Sequence, residues 1–178
     1  MRKLKTNELN RLDIEAYKIS RKNPIVLVLD NIRSLNNIGS IFRTADAFRI
    51  EQMLLCGITA CPPHRDIQKT ALGATESVDW KYYKNTIDAI QLLRKNQYQI
   101  IALEQTDESI MLNHFKPLTD KKYALILGNE IHGVSDDAIG FSDNCVEIPQ
   151  FGTKHSFNVT VSAGIIIWDM LLKMNLLH

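Results

Sequence analysis

Two spacings of apolar residues alternate along the chain. Residues 6–20 place Leu9, Leu12, Ala16 and Ile19 at helical intervals. That predicts an amphipathic helix capped by Thr6 or Asn7 and ended by Asn23-Pro24. Ile25–Asp30 (IVLVLD) is instead a continuous apolar run, the pattern of a strand buried on both faces. Further strands are predicted at Gln52–Cys56, Val78–Tyr82, Tyr98–Leu103, Tyr123–Leu127 and Cys145–Ile148. Helices are predicted at Asn37–Phe48, Thr86–Lys95, Ser135–Ile139 and Phe157–Leu176. Gly57–Gln68, with Pro62-Pro63, reads as a loop, followed by a short segment ending at Gly73. Strands alternating with helices imply the α/β class, a mainly parallel sheet flanked by helices. Residues 1–24 form an N-terminal helical extension, and residues 25–178 form the main domain.

Composition sets limits on this picture. The chain has 178 residues, 45% hydrophobic and 23% charged, as in an ordinary globular domain with a full-sized core. A formal net charge of +1 announces no polyanionic partner. The distribution is uneven, however. Residues 1–24 carry seven Lys/Arg against three acids, and residues 104–143 carry eight acids against three lysines. A basic face for a nucleic acid and a merely solvated helix face both fit the first cluster. Cys56, Cys61 and Cys145 are too few for a disulfide framework and lie in no zinc-binding spacing, so a reducing cytoplasm is expected and no metal. The N-terminus lacks the apolar core of a secretory signal. The longest apolar stretch, Phe157–Leu177, is interrupted by Asn158, Asp169 and Lys173, which argues against a membrane span.

In parallel sheets, ligands bind beyond the carboxyl ends of strands. Three polar or glycine-bearing segments follow predicted strands there: Asn31–Arg43, Gly128–Gly133 and Pro149–Asn158. The commoner nucleotide and hydrolase signatures (GxGxxG, GxxxxGK(S/T), GxSxG) are absent. In the first segment, Asn37 stands at a helix start, where a capping side chain is expected. Arg43, among Ile41, Phe42 and Ala45, needs a carboxylate, carbonyl or phosphate partner; taken alone, the segment favours an ion pair with Asp46 or Asp30. In the second, Gly128 and Gly133 permit a tight turn and close backbone approach to a ligand, and Glu130 is placed to accept from a hydroxyl or orient an arginine. His132 reads as a loop residue. In the third, Ser156 and Asn158 begin the last helix, where Ser156 is expected to cap, and small residues from Thr160 to Gly164 allow close packing. That helix is apolar on several faces, as if buried between layers or subunits.

Together the three segments resemble the signature motifs of the SpoU (TrmH-like) branch of the SPOUT methyltransferases. Asn37–Ala47 resembles the first, N-x-G-x-x-x-R-T-A-D-A. Gly128–Gly133 resembles the second, G-x-E-x-x-G. Ile148–Ala163 resembles the third, I-P-x-x-G-x-x-x-S-L-N-V-S-x-A, with Phe157 for leucine and Thr160 for serine. The resemblance covers roughly residues 24–175, with the motifs in order. It implies a SPOUT fold with a C-terminal trefoil knot, although knots are otherwise nearly absent from proteins. It implies S-adenosylmethionine as cofactor, held by Leu103, Gly128, Asn129, Glu130, Ile148, Ser156, Phe157 and Asn158. It implies methyl transfer to a ribose 2′-hydroxyl of tRNA or rRNA, with Arg43, Asn37, Glu130, Ser156 and Asn158 as catalytic positions. A general-base role for Arg43 sits awkwardly with a guanidinium, whose pKa exceeds about 12, so binding the phosphate beside the target ribose is the plainer role. A homodimer through the C-terminal helix and the first-motif helix is also implied.

This sequence departs from the pattern at Arg49, where glycine is common, and at Phe157, which is bulkier than leucine but suited to stacking. No separate N-terminal RNA-binding domain is read. RNA binding is therefore assigned to the dimer surface, with Arg33, Arg43, Arg49, His64, Arg65 and Lys69, and the basic residues 1–24 are read either as joining that surface or as packing on the partner subunit. Pro62–Ala74 is read either as a mobile loop over the substrate or as a packed surface loop. The competing reading is a non-catalytic SPOUT-fold RNA-binding dimer; the intact motif residues weigh against it. They weigh also against methylation of a base.

Overall fold

A computed structural model describes residues 1–5 and 8–177. Its strands are β1 (Asn23–Asp30), β2 (Ile50–Cys56), β3 (Trp80–Tyr83), β4 (Tyr98–Leu103), β5 (Ile110–Met111), β6 (Lys122–Leu127) and β7 (Asn144–Glu147). Its helices are α1 (Ile14–Ile19), α2 (Leu35–Ala47), α3 (Arg65–Ala71), α4 (Ala74–Ser77), α5 (Thr86–Lys95), α6 (Asp136–Gly140) and α7 (Val159–Lys173). The strands form one sheet in the order β3-β2-β1-β6-β4-β7-β5. Every pairing in it is parallel. The continuous apolar runs are explained by this arrangement. Val26 and Val28 join Ile100, Ala102 and Ile126 in a core under α5 and α6. Leu27 and Leu29 join Leu55, Leu125 and Leu127 in the larger core on the other face, under α2, α3 and α7. Both faces are covered, so neither strand face has a polar alternate.

The N-terminal helix is shorter than periodicity predicts. It spans Ile14–Ile19, with Asp13 as its cap, accepting from the Ala16 N–H at 2.8 Å. The predicted caps Thr6 and Asn7 lie outside the described residues. The predicted apolar face is not the buried one: Leu9, Leu12 and Ile19 are exposed, and Tyr17 is the anchor. A six-residue helix has little stability of its own, so the one ring that reaches the core decides where it sits. The Lys22 ammonium lies 3.9 Å from the Tyr17 ring centroid and donates to the Tyr17 carbonyl.

Of the two readings of Pro62–Ala74, the packed one fits, although the segment contains the helix α3 where a loop was expected. That helix packs so closely on α2 that a Cβ on Gly39 would stand 2.2 Å from the Ile67 carbonyl oxygen and 2.2 Å from Thr70 Oγ1. The Thr70 hydroxyl donates to the Asn36 carbonyl at 2.9 Å, tying α3 to the start of α2.

The final helix begins at Val159 rather than Phe157, and its cap is Asn158, not Ser156. It buries Ala163, Ile166, Ile167, Met170 and Leu171, each large aliphatic contributing about 1.5–3 kcal/mol. On its outer side Val161, Trp168 and Leu172 form an exposed stripe at helical spacing. The Trp168 ring also meets Phe48 edge-on at 6.2 Å.

Arg49 follows α2 with φ +47°, in the left-handed region that favours glycine. Its carbonyl accepts from the Asn23 N–H at 2.8 Å, which fixes the α2–β2 corner. Arg49→Gly is therefore expected to raise the melting temperature by about 2–4 °C, for roughly 1 kcal/mol of relieved strain. A lower melting temperature by calorimetry would mean that the arginine side chain contributes more than its backbone costs.

Candidate functional site

The parallel sheet brings the ends of β1, β6, β4 and β7 side by side. All three motif segments leave from that edge. The second segment is a closed turn. The Asn129 N–H donates to the Gly133 carbonyl at 2.8 Å, and the Gly133 N–H returns to Asn129 at 2.9 Å. The Asn129 side chain completes the turn. Its Oδ1 accepts from the N–H groups of Ile131 and His132, and its Nδ2 donates to the Asn31 carbonyl at 2.7 Å. Gly128 and Gly133 serve this turn. A Cβ on Gly128 would lie 2.1 Å from Gly133 C and Val134 N, and Gly133 has φ +70°.

Glu130 joins the segments. Its carboxylate accepts from the backbone N–H groups of Arg33 and Ser34, both at 2.9 Å, and from Asn37 Nδ2 at 2.8 Å. Among the described residues it orients no guanidinium. Asn37 is not the cap of α2: Ser34 is, and Asn37 lies one turn inside. The freed amide spans two motifs, because Asn37 Oδ1 accepts from Asn158 Nδ2 at 3.4 Å. Asn158 Oδ1 in turn accepts from the Thr160 N–H and hydroxyl. Glu130, Asn37 and Asn158 thus form one chain across residues far apart in sequence.

Partial burial pushes the Glu130 carboxyl up, but the hydrogen bonds from Arg33, Asn37 and Ser34 outweigh it, and the net shift is downward. A carboxyl lowered in the folded state contributes stability that is present above its ordinary value and lost as pH falls through the lowered one. Glu130→Gln is expected to be less stable than wild type at neutral pH, with the gap closing in acid. Melting temperatures measured from neutral to acidic pH check this; a gap independent of pH would contradict it.

Beside this chain lies a cavity of about 510 Å3, lined by Leu103, Gly128, Asn129, Glu130, Ile148, Ser156, Phe157 and Asn158. Those are the eight residues assigned to a cofactor from the motifs. Sequence reasoning missed other lining residues, chiefly Glu104, Gln105, Glu147 and His155. Glu104 follows the last residue of β4 at the same sheet edge as Leu127, and that position was the available signal.

Asn37 and Arg43 do not line the cavity. Arg43 lies exposed on α2, and the ion pair expected for it is absent among the described residues. Asp30 is buried and already taken: it accepts from Thr86 Oγ1 at 2.5 Å, from Asn31 Nδ2 at 2.9 Å and from the Ser135 N–H at 2.8 Å. Asp46 accepts from the Ser77 hydroxyl. Arg33, Arg49 and Arg65 are likewise exposed. His64, by contrast, is engaged as the cap of α3, its Nδ1 accepting from the Asp66 N–H, and Lys69 pairs with Asp66 at 2.6 Å. Among the described residues no helix is long and apolar enough to cross a membrane, and no group of three His, Cys, Asp or Glu side chains is placed to hold a metal.

Residues 24–168 match the model of the SpoU rRNA Methylase family. An uncharacterized tRNA/rRNA methyltransferase of Borreliella burgdorferi is 33% identical over 175 residues, which cover 98% of this chain and 75% of that protein. The tRNA (guanosine(18)-2′-O)-methyltransferase of the same organism is 27% identical over 161 residues, covering 90% and 72%. The solved structure of an AdoMet-bound rRNA methyltransferase from Sinorhizobium meliloti aligns with a TM-score of 0.78 at 25% identity, over 85% of this chain. This chain spans 57% of that longer one.

Proposed function

The chain belongs to the SpoU rRNA methylase family, and on that footing we propose that it transfers a methyl group from S-adenosylmethionine to a ribose 2′-hydroxyl of tRNA or rRNA. One observation carries the reading. Residues that the family motifs assign to the cofactor come from separate segments and line a single cavity at the strand ends.

The cavity fits the cofactor. Its volume of about 510 Å3 lies within the range of small-molecule sites. Leu103, Ile148 and Phe157 offer apolar surface to an adenine, and Ser156 and the Gly128–Gly133 backbone offer polar contacts. When bound there, S-adenosylmethionine supplies a methyl group already activated by its sulfonium. The chain's task is then alignment and exclusion of competing contacts. Glu130, Asn37 and Asn158 hold the three motif segments in one geometry. Arg43, exposed and without an ion-pair partner among the described residues, binds the RNA phosphate beside the target ribose and stabilises the oxyanion that develops as the hydroxyl proton leaves to solvent. Arg33, Arg49 and Arg65 extend the cationic surface for RNA, whose contacts make affinity salt-dependent.

The same reading carries the trefoil knot that the family resemblance implies and a cytoplasmic location. It carries a homodimer too. The Val161–Trp168–Leu172 stripe on α7 and the adjoining apolar groove of Ile148, Pro149, Gly164 and Ile165 form the face a second copy would cover.

The test is to incubate purified protein with methyl-labelled S-adenosylmethionine and total RNA from cells lacking it. Label in a 2′-O-methylated nucleoside is expected, and the size class of the labelled RNA identifies the substrate. Label in a methylated base would overturn the assignment to ribose. No label despite cofactor binding would favour a non-catalytic RNA-binding dimer.

A further inference from the structure

The titratable lining of the cavity is one-sided. Three acidic residues line it (Glu104, Glu130 and Glu147), with two histidines, His132 and His155, and no lysine or arginine. The three acids are not equivalent. Glu130 gives its oxygens to Arg33, Ser34 and Asn37, none of which lines the cavity. The Glu147 carboxylate makes no hydrogen bond or ion pair among the described residues, so nothing fixes its direction. Glu104, like Glu130, is immobilised, but beside the cavity wall itself. Its Oε1 accepts from the Gln105 N–H at 2.9 Å and its Oε2 from the Val134 N–H at 2.8 Å. Gly133 sits so close that a Cβ there would stand 2.1 Å from Glu104 Oε2. A carboxylate held by backbone donors keeps its place as the ligand changes, the condition under which a fixed charge discriminates best.

Resting on the cofactor assignment above, we infer that Glu104 selects for positive charge in the cavity, binding cationic S-adenosylmethionine in preference to neutral S-adenosylhomocysteine. The two ligands differ only at the sulfur, which carries a methyl group and a positive charge in the first and neither in the second. In transfer, the S–CH3 bond breaks and an O–CH3 bond forms; the sulfur keeps the bonding pair and becomes a neutral thioether, and the hydroxyl proton goes to water. The reaction therefore removes the charge that Glu104 attracts, and the product is held less tightly than the substrate. Glu104 is a specificity residue in this scheme, not a participant in bond making.

The experiment is calorimetric titration of the full chain with each nucleoside in turn, for wild type, Glu104→Gln and Glu104→Asp. Loss of the charge is expected to lower the ratio of the S-adenosylhomocysteine Kd to the S-adenosylmethionine Kd by about tenfold. Glu104→Asp, which keeps the charge, is expected to retain most of the ratio. A brace for the Gly128–Gly133 turn and nothing more would weaken both nucleosides alike in Glu104→Gln; that equal loss would overturn the inference. Failure of wild type to bind either nucleoside would overturn the cofactor assignment itself, a separate and recognisable outcome.

Discussion

Arg43→Ala is expected to lower the single-turnover rate of methyl transfer by at least about a hundredfold while leaving affinity for S-adenosylmethionine almost unchanged. The expectation follows from where Arg43 stands. It does not line the cavity. It makes no ion pair among the described residues, although two carboxylates, Asp30 and Asp46, lie within reach in sequence. Both have other donors, Thr86, Asn31 and Ser135 for the first and Ser77 for the second. A guanidinium left free on the middle of a helix contributes little to folding, and alanine is the better helix former there, so the variant should melt no lower than wild type. Rate and stability are thereby separated. Rapid-mixing measurement with labelled cofactor gives the first and calorimetry the second. An unchanged single-turnover rate would remove Arg43 from the chemistry. A large loss of cofactor affinity would place it in the cavity instead of on the RNA.

The sheet was readable from the sequence because strands buried on both faces are apolar without interruption, and Tyr98–Leu103 and Thr86–Lys95 occupy the predicted residues. Elements that bury little were not readable. In α3 only Ile67 and Ala71 are buried, too few to mark a period among Arg65, Asp66, Gln68 and Lys69. β5 has two residues and no pattern at all. At the N-terminus the periodicity of Leu9, Leu12 and Ile19 pointed away from Tyr17, because packing, not spacing, chose the anchor. The motif residues were legible as a set, but their wiring was not. Asn37 meets Glu130 and Asn158 across 93 and 121 residues, contacts created only by the order of strands in the sheet. Nor could the sequence tell that Ser34 caps α2 and so frees Asn37 for that role. Glu104 carried no motif signal; one acid after a buried strand is common, and its meaning comes from the turn it faces.

That turn gives the second large effect. Gly128→Ala is expected to destabilise the fold by about 2–4 kcal/mol, lowering the melting temperature by roughly 5–12 °C. Binding of S-adenosylmethionine should weaken by at least about a hundredfold. The added Cβ would lie 2.1 Å from Gly133 C and Val134 N, and both are backbone atoms with no rotamer to relieve the clash. To admit it, the Asn129–Gly133 pair must open. The opening displaces Glu130 from Arg33, Ser34 and Asn37, and Val134 from Glu104. One methyl group therefore acts on the contacts that Glu130 and Val134 make to the neighbouring segments. Gly140→Ala in α6 is the matched control: its Cβ meets nothing within 4 Å, and alanine is the better helix former, so that variant should be neutral or slightly stabilised. Calorimetry and cofactor titration of the two variants side by side test the argument. If Gly128→Ala melted and bound like wild type, the turn would have a second conformation that accepts a side chain, and its hold on the cavity would be weaker than its hydrogen bonds imply.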